Sequence, residues 1–137
     1  MICLDTNAVI AVLKDQSSQV RRRIEAATGK GETFALSAVV LFELRYGAAK
    51  SARPERNTRR IDDFLAGPIE VLTFGHKDAD EAGDIRAALE QAGTPIGPYD
   101  ILIAAQARCR DALLVTANTR EFARVPRLRF EDWAASP

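Results

Sequence analysis

Short apolar runs set between longer helical stretches are what most narrows the fold open to this chain. Met1 to Leu4, Thr33 to Leu36, Ile69 to Leu72 and Leu113 to Thr116 read as strands, and Leu128 to Phe130 as a last edge strand. Helical character runs over about Asn7 to Lys14, Ser17 to Ala27, Ala38 to Lys50, Pro54 to Leu65 and Lys77 to Gln91, then from Gly97-Pro98 to Arg110. Pro54 suits a first helical turn, and Gly93 suits the position just past a helix end. Strands that alternate with helices imply a mostly parallel sheet covered on both faces, so the expected class is α/β. No linker or repeat divides the chain, which predicts a single domain over residues 1–137.

Composition supports a packed core. Hydrophobic residues make up 47% and charged residues 28%, which excludes disorder and a disulfide-dense miniature fold. Nineteen basic residues balance nineteen acidic ones, so nucleic acid can be drawn only by a local patch. Cys3 and Cys109 are too few and too far apart for a disulfide framework or zinc site and read as reduced core thiols. The N-terminus meets Asp5 without a basic leader, and no apolar stretch reaches the roughly 18 residues of a membrane span, so a soluble, cytoplasmic protein is expected.

In open parallel sheets, ligands bind outside the carboxyl ends of the strands. Four residues fall at such positions. Asp5 follows the first strand, where it either caps the next helix or enters a site. Glu43 lies in the helix after the second strand, among Val39, Val40, Tyr46 and Gly47, a setting that predicts partial burial. A buried carboxylate needs a partner, for which Arg45 is the structural candidate. Asp100 opens the most apolar helix, where an acid also complements the helix dipole. Asn118 follows the strand ending at Thr116 and begins Asn118-Thr119-Arg120-Glu121, which has capping-box spacing. Three carboxylates in one crevice would repel one another, and a divalent cation removes that penalty. All-oxygen ligation favours Mg2+, or Mn2+, over zinc.

The stretches Asp5-Thr6-Asn7, Glu43-Leu44-Arg45-Tyr46-Gly47, Pro95-Ile96-Gly97-Pro98-Tyr99-Asp100 with Ile103-Ala104-Ala105, and Val115 to Phe122 together resemble PIN-domain ribonucleases. The tail from Arg124-Val125-Pro126 to Glu131-Asp132-Trp133 extends the likeness to the VapC/FitB type of toxin. This resemblance covers nearly the whole chain. It implies a three-layer α/β/α sandwich and a metal-dependent endoribonuclease that leaves a 5′-phosphate and a 3′-hydroxyl. It further implies a cognate antitoxin, a homodimer, and operator DNA bound only through the antitoxin complex. Asp5, Glu43 and Asp100 map onto the acidic centre, with Asp5 and Asp100 as direct metal ligands and Glu43 acting through water. Asn118 stands where the wider family frequently has a fourth acid. Thr116 beside it would position a ligand or water. Glu81 is a further outer carboxylate or, as the simpler reading, part of a solvated helix face.

An acidic pocket needs a basic rim to hold RNA. Arg45, Lys50, Arg53, Arg56, Arg59 and Arg60 stand against a single acid, Glu55, and are either phosphate contacts or a solvated face. Arg21-Arg22-Arg23 reads as solvated, and aromatic residues are too few for extensive base stacking. His76, the only histidine, begins a helix, so no histidine pair is available for metal-free cleavage. Apolar residues surround much of the helix carrying Val39, Val40, Leu41, Phe42 and Leu44, more than one core face needs, and part of them is expected at a dimer or antitoxin interface. An antitoxin arginine entering the carboxylate pocket would inhibit by replacing the cation. A haloacid dehalogenase-type phosphatase is disfavoured because it needs an aspartate where Asn7 stands. The remaining alternative is a catalytically impaired PIN-like binding or scaffold module.

Overall fold

The computed structural model describes residues 1–14 and 18–134. Five strands, β1 (Ile2–Leu4), β2 (Phe34–Ser37), β3 (Ile69–Leu72), β4 (Leu113–Val115) and β5 (Arg129–Glu131), form one sheet in the order β3-β2-β1-β4-β5. Every pairing is parallel, in register Ile2↔Phe34, Phe34↔Ile69, Ile2↔Leu113 and Leu113↔Arg129. The expected strands are all present, with ends displaced by a residue or so. Thr33 and Thr116 fall outside the ladder, and the last edge strand extends to Glu131. The helix expected from Ser17 is observed over Gln19–Gly29, and Ser17 lies outside the described residues.

The helices are α1 (Thr6–Lys14), α2 (Gln19–Gly29), α3 (Ala38–Ala49), α4 (Pro54–Leu65), α5 (His76–Gln91), α6 (Pro98–Cys109) and the single turn α7 (Thr119–Phe122). Helices α1 to α4 pack among themselves, and α5 pairs with α6. Right-handed crossovers explain this division. The chain steps from β1 through β2 to β3 in one direction, then jumps past β1 to β4 and β5 in the other, which puts the two helix groups on opposite faces. Strands β1 and β2 are buried at every position, as a sheet covered on both sides requires. Helix α6 brings Ala104, Ala105 and Ala107 fully into the core, where small side chains permit close approach to the sheet.

One polar cluster is locked inside the second layer. Asp78, 2% exposed, accepts from Arg110 Nη1 at 2.7 Å and from the Gly75 N–H at 2.9 Å. Gln106 Nε2 donates to the carbonyl of Thr73 at 3.0 Å and lies 3.5 Å from Asp78 Oδ2. Glu81, expected on a solvated face, instead forms a two-point pair with Arg108, whose Nε and Nη2 both approach Glu81 Oε1 to 2.6 Å. Arg108 also donates to the Pro126 carbonyl, fastening the α5–α6 pair to the loop before β5. Cys3 and Cys109 are both free thiols, and burial pushes Cys3 up to about 11.

Candidate active site

The reversal of strand order at β1, with β2 and β3 laid down on one side and β4 and β5 on the other, opens a crevice at the carboxyl ends of β1, β2 and β4, the place where such sheets bind ligands. Asp5 follows β1 directly and is 4% exposed. Its carboxylate accepts from the Thr6 N–H at 2.8 Å, from Thr116 Oγ1 at 2.7 Å and from Asn7 Nδ2 at 3.4 Å. Its backbone carbonyl meanwhile accepts the first helical N–H groups of α1, from Ala8 and Val9. Asp5 therefore borders a helix start and presents a carboxylate to the crevice. Burial raises its pKa, and the three donors only partly oppose that rise.

Glu43, half-buried in the second turn of α3, accepts from Thr6 Oγ1 at 3.0 Å. Arg45 does not pair with it: Arg45 Nη2 reaches Asp62 on α4 at 2.7 Å. Side chains two residues apart on a helix point to different sides, which is why the nearest cation in sequence is not the nearest in space. Asp100 stands in the first turn of α6 and accepts from Asn118 Nδ2 at 3.2 Å. Asn118 occupies the cap position of α7 but makes no side-chain capping bond, so the capping-box reading is corrected. Its backbone N–H donates to Thr116 Oγ1 at 2.9 Å, which leaves the Thr116 hydroxyl proton for Asp5. The Thr116 hydroxyl is thus engaged in holding Asp5.

Every donor on these three acids is neutral. Among the described residues, burial and then the charges of Asp5, Glu43 and Glu121 push the Asp100 carboxyl up to about 6. The bonds through Thr6, Thr116 and Asn118 place the three acids around one crevice. As they lie, no three His, Cys, Asp or Glu side chains among the described residues are grouped tightly enough to grip a metal ion. The chemistry of the set nevertheless fits a hard divalent cation: carboxylate oxygens, no imidazole or thiolate, and a charge excess that such an ion would relieve.

Three contributors were not singled out in the sequence. Glu121 adds a fourth carboxylate near Asp100, and its place three residues after Asn118 suggested only a cap. Thr6 and Asn7 bond to the acids from the start of α1, and Asn7 Oδ1 also accepts from the Ala117 N–H at 2.9 Å, tying the ends of β1 and β4 together. The signal available was their position immediately after Asp5, where short polar side chains reach back to the chain around them.

Beside the acids, a groove of about 300 Å³ runs between α1, α3 and α4. Ile10, Leu44 and Ile61 line it, Glu43 stands on its wall, and Lys14 and Arg60 contribute charge. On the outer side of α3, Phe42 and Tyr46 are 50% and 57% exposed, and Phe42 meets Tyr99, 49% exposed, edge-on at 5.5 Å.

The family model described as PIN domain matches residues 2–128. This chain belongs to the PIN domain family. Among curated PIN relatives, the "tRNA(fMet)-specific endonuclease VapC" of Shigella flexneri is 46% identical over 131 residues, spanning 96% of each chain. Ribonuclease VapC2 of Haemophilus influenzae is 43% identical over 130 residues, covering 95% of this chain and 96% of its own. In solved structures, VapBC2 from Rickettsia felis, bound to a DNA fragment from its promoter, matches this PIN domain with a TM-score of 0.90 at 38% identity, covering 97% of this chain and 99% of that one. The expected α/β/α architecture is the one observed, with a sheet that is parallel throughout.

Proposed function

We propose that this PIN domain is a VapC-type endoribonuclease, the toxin of a toxin–antitoxin pair, with Asp5, Glu43 and Asp100 as its working carboxylates. The observation that carries the assignment is the hydrogen-bonded chain that draws these acids together at the β1 switch point: Thr6 bridges Asp5 to Glu43, and Thr116 and Asn118 link Asp5 to Asp100. Asp5 and Asp100 would hold Mg2+, or Mn2+ in its place. When bound, such an ion supplies positive charge opposite the scissile phosphate and makes water a better nucleophile. Glu43 accepts the Thr6 hydroxyl at Oε1, which leaves Oε2 to take a proton from the attacking water. Asn118 and Thr116 position Asp100 and Asp5 through the bonds described above.

RNA phosphates find cations on the exposed side of α4. Arg45 is engaged by Asp62, and Lys50 sits over the Tyr46 ring at 4.6 Å. Arg53, Arg56 and Arg59 remain exposed for phosphate contact, which makes binding salt-dependent. The cognate antitoxin is the inhibitory partner, and the groove leading to Glu43 suits an amphipathic segment of it. Operator DNA is reached through that complex, as in the promoter-bound relative. Self-association through the Phe42–Tyr46–Tyr99 face gives a homodimer. No helix among the described residues is long and apolar enough to cross a membrane, and with RNA as substrate the cytoplasm is the proposed site of action.

The decisive experiment incubates antitoxin-free protein with initiator tRNA and other RNAs, with Mg2+ or Mn2+ and with EDTA, beside Asp5→Asn. Cleavage that requires the ion and is lost in a folded Asp5→Asn protein is the expected result. Full activity of pure Asp5→Asn protein would overturn the site assignment. Absence of both cleavage and metal binding in the wild type would favour a scaffold module.

A further inference from the structure

We infer that Thr6 is a positioning residue that sets the placement of Glu43 relative to Asp5, an inference resting on the nuclease reading above. Thr6 opens α1, and its two polar groups reach two different acids. The backbone N–H, one of the donors a helix start leaves unpaired, goes to Asp5 Oδ1 at 2.8 Å. The hydroxyl spans to α3 and donates to Glu43 Oε1 at 3.0 Å. That is the only hydrogen bond on the Glu43 carboxylate among the described residues, and Arg45 is engaged by Asp62 instead.

The contrast with the other acids makes this contact consequential. Asp5 has a short side chain held by three donors, so losing one leaves two. Glu43 has three rotatable side-chain bonds and borders an open groove of about 300 Å³ into which it can swing. Without the hydroxyl, the charge of Asp100 would push Glu43 toward solvent. Valine keeps the branched shape and removes only the donor, whereas serine keeps the donor and removes only the methyl group.

Outer partners of ligating or catalytic groups typically contribute about 10- to 100-fold to metal affinity or turnover. Thr6→Val is therefore expected to lower kcat by about that factor with little change in KM for RNA, and to weaken Mn2+ binding measured by calorimetry. Thr6→Ser should restore both, with melting temperatures of all three proteins compared to exclude unfolding. Mn2+ affinity and kcat in Thr6→Val equal to wild type would overturn the inference. So would equal losses in Thr6→Ser and Thr6→Val, because the shape of the side chain would then matter and its hydroxyl would not. If the wild type itself neither binds Mn2+ nor cuts RNA, the nuclease reading fails, and the role given to Thr6 fails with it. A competent wild type alongside an unimpaired Thr6→Val protein defeats the positioning role alone.

Discussion

At the scale of the residue, Asp100 shows how the site opposes the fold that holds it. Burial and three neighbouring acids hold its carboxyl at about 6 against an ordinary 3.8. Between those values the folded protein binds more protons than the unfolded chain, so stability falls as pH rises through that window and stays low above it. The rise is worth at most ~3 kcal/mol, and solvent screening at this half-buried position reduces it to about 1 kcal/mol. Asp100→Asn should accordingly melt about 3 °C above wild type at pH 7. That advantage should vanish below about pH 4, where Asp100 is protonated in both folded and unfolded chains. Calorimetry across pH checks this, and an Asp100→Asn protein less stable than wild type at pH 7 would contradict it. Asp5, Asp100 and Asn118 were legible in the sequence because each follows a strand or begins a helix, and Glu43 because its helical neighbours Val39, Val40, Tyr46 and Gly47 are apolar or small. Glu121 was not, since nothing in the sequence indicates that a one-turn helix would bring it toward Asp100. The preference of Asn118 for Asp100 over the cap was equally hidden, because a cap is a local bond and Asp100 is 18 residues away.

At the scale of the element, the α5–α6 pair depends on a polar clamp that periodicity does not reveal. Asp78 looks in sequence like an acid in a first helical turn, yet its side chain is 3% exposed and meets Arg110 Nη1 at 2.7 Å. Burial raises its pKa, but the Arg110, Gly75 and Gln106 bonds outweigh burial and leave it below the ordinary value. Asp78 is the buried half of this pair and Arg110 is 29% exposed, so removing the carboxylate leaves a cation only partly reached by water and costs about 3 kcal/mol, the low end for a broken buried pair. Asp78→Asn should then lower the melting temperature by roughly 10 °C near neutral pH. A depressed carboxylate stabilises above its unfolded pKa and loses that contribution as pH falls through its folded value, so the two proteins should converge in strong acid. Equal melting temperatures at pH 7 would show that the clamp is dispensable. The strands themselves were readable because β1, β2 and β4 are short apolar runs. Strand order was not readable, because it depends on crossovers that no local pattern encodes.

At the scale of the whole molecule, a chain with no net charge must meet its partners through patches, and the fold sets two of them on either side of the acids. The groove by Glu43 is concave and apolar-floored, suited to an inserted segment, whereas the Phe42–Tyr46–Tyr99 face is an exposed aromatic cluster suited to a matching surface. The excess of apolar residues around α3 anticipated this: Val40 and Leu44 enter the core, while Phe42 points away from it. Aromatic residues half-exposed in a cluster are strong anchors once covered, and truncating such an anchor commonly costs 2 kcal/mol or more, roughly a 30-fold loss of affinity. A second copy of the chain is the proposed cover. A glutamate at Phe42 or Tyr46 would place like charges across a two-fold interface, adding repulsion to the lost contact. Phe42→Glu and Tyr46→Glu should each shift the antitoxin-free protein from dimer to monomer at micromolar concentration in analytical ultracentrifugation. Both variants should still bind antitoxin, because the groove proposed for it lies on the other side of α3. A wild-type protein that sediments as a monomer, or variants that remain dimeric, would remove this face as the self-association surface.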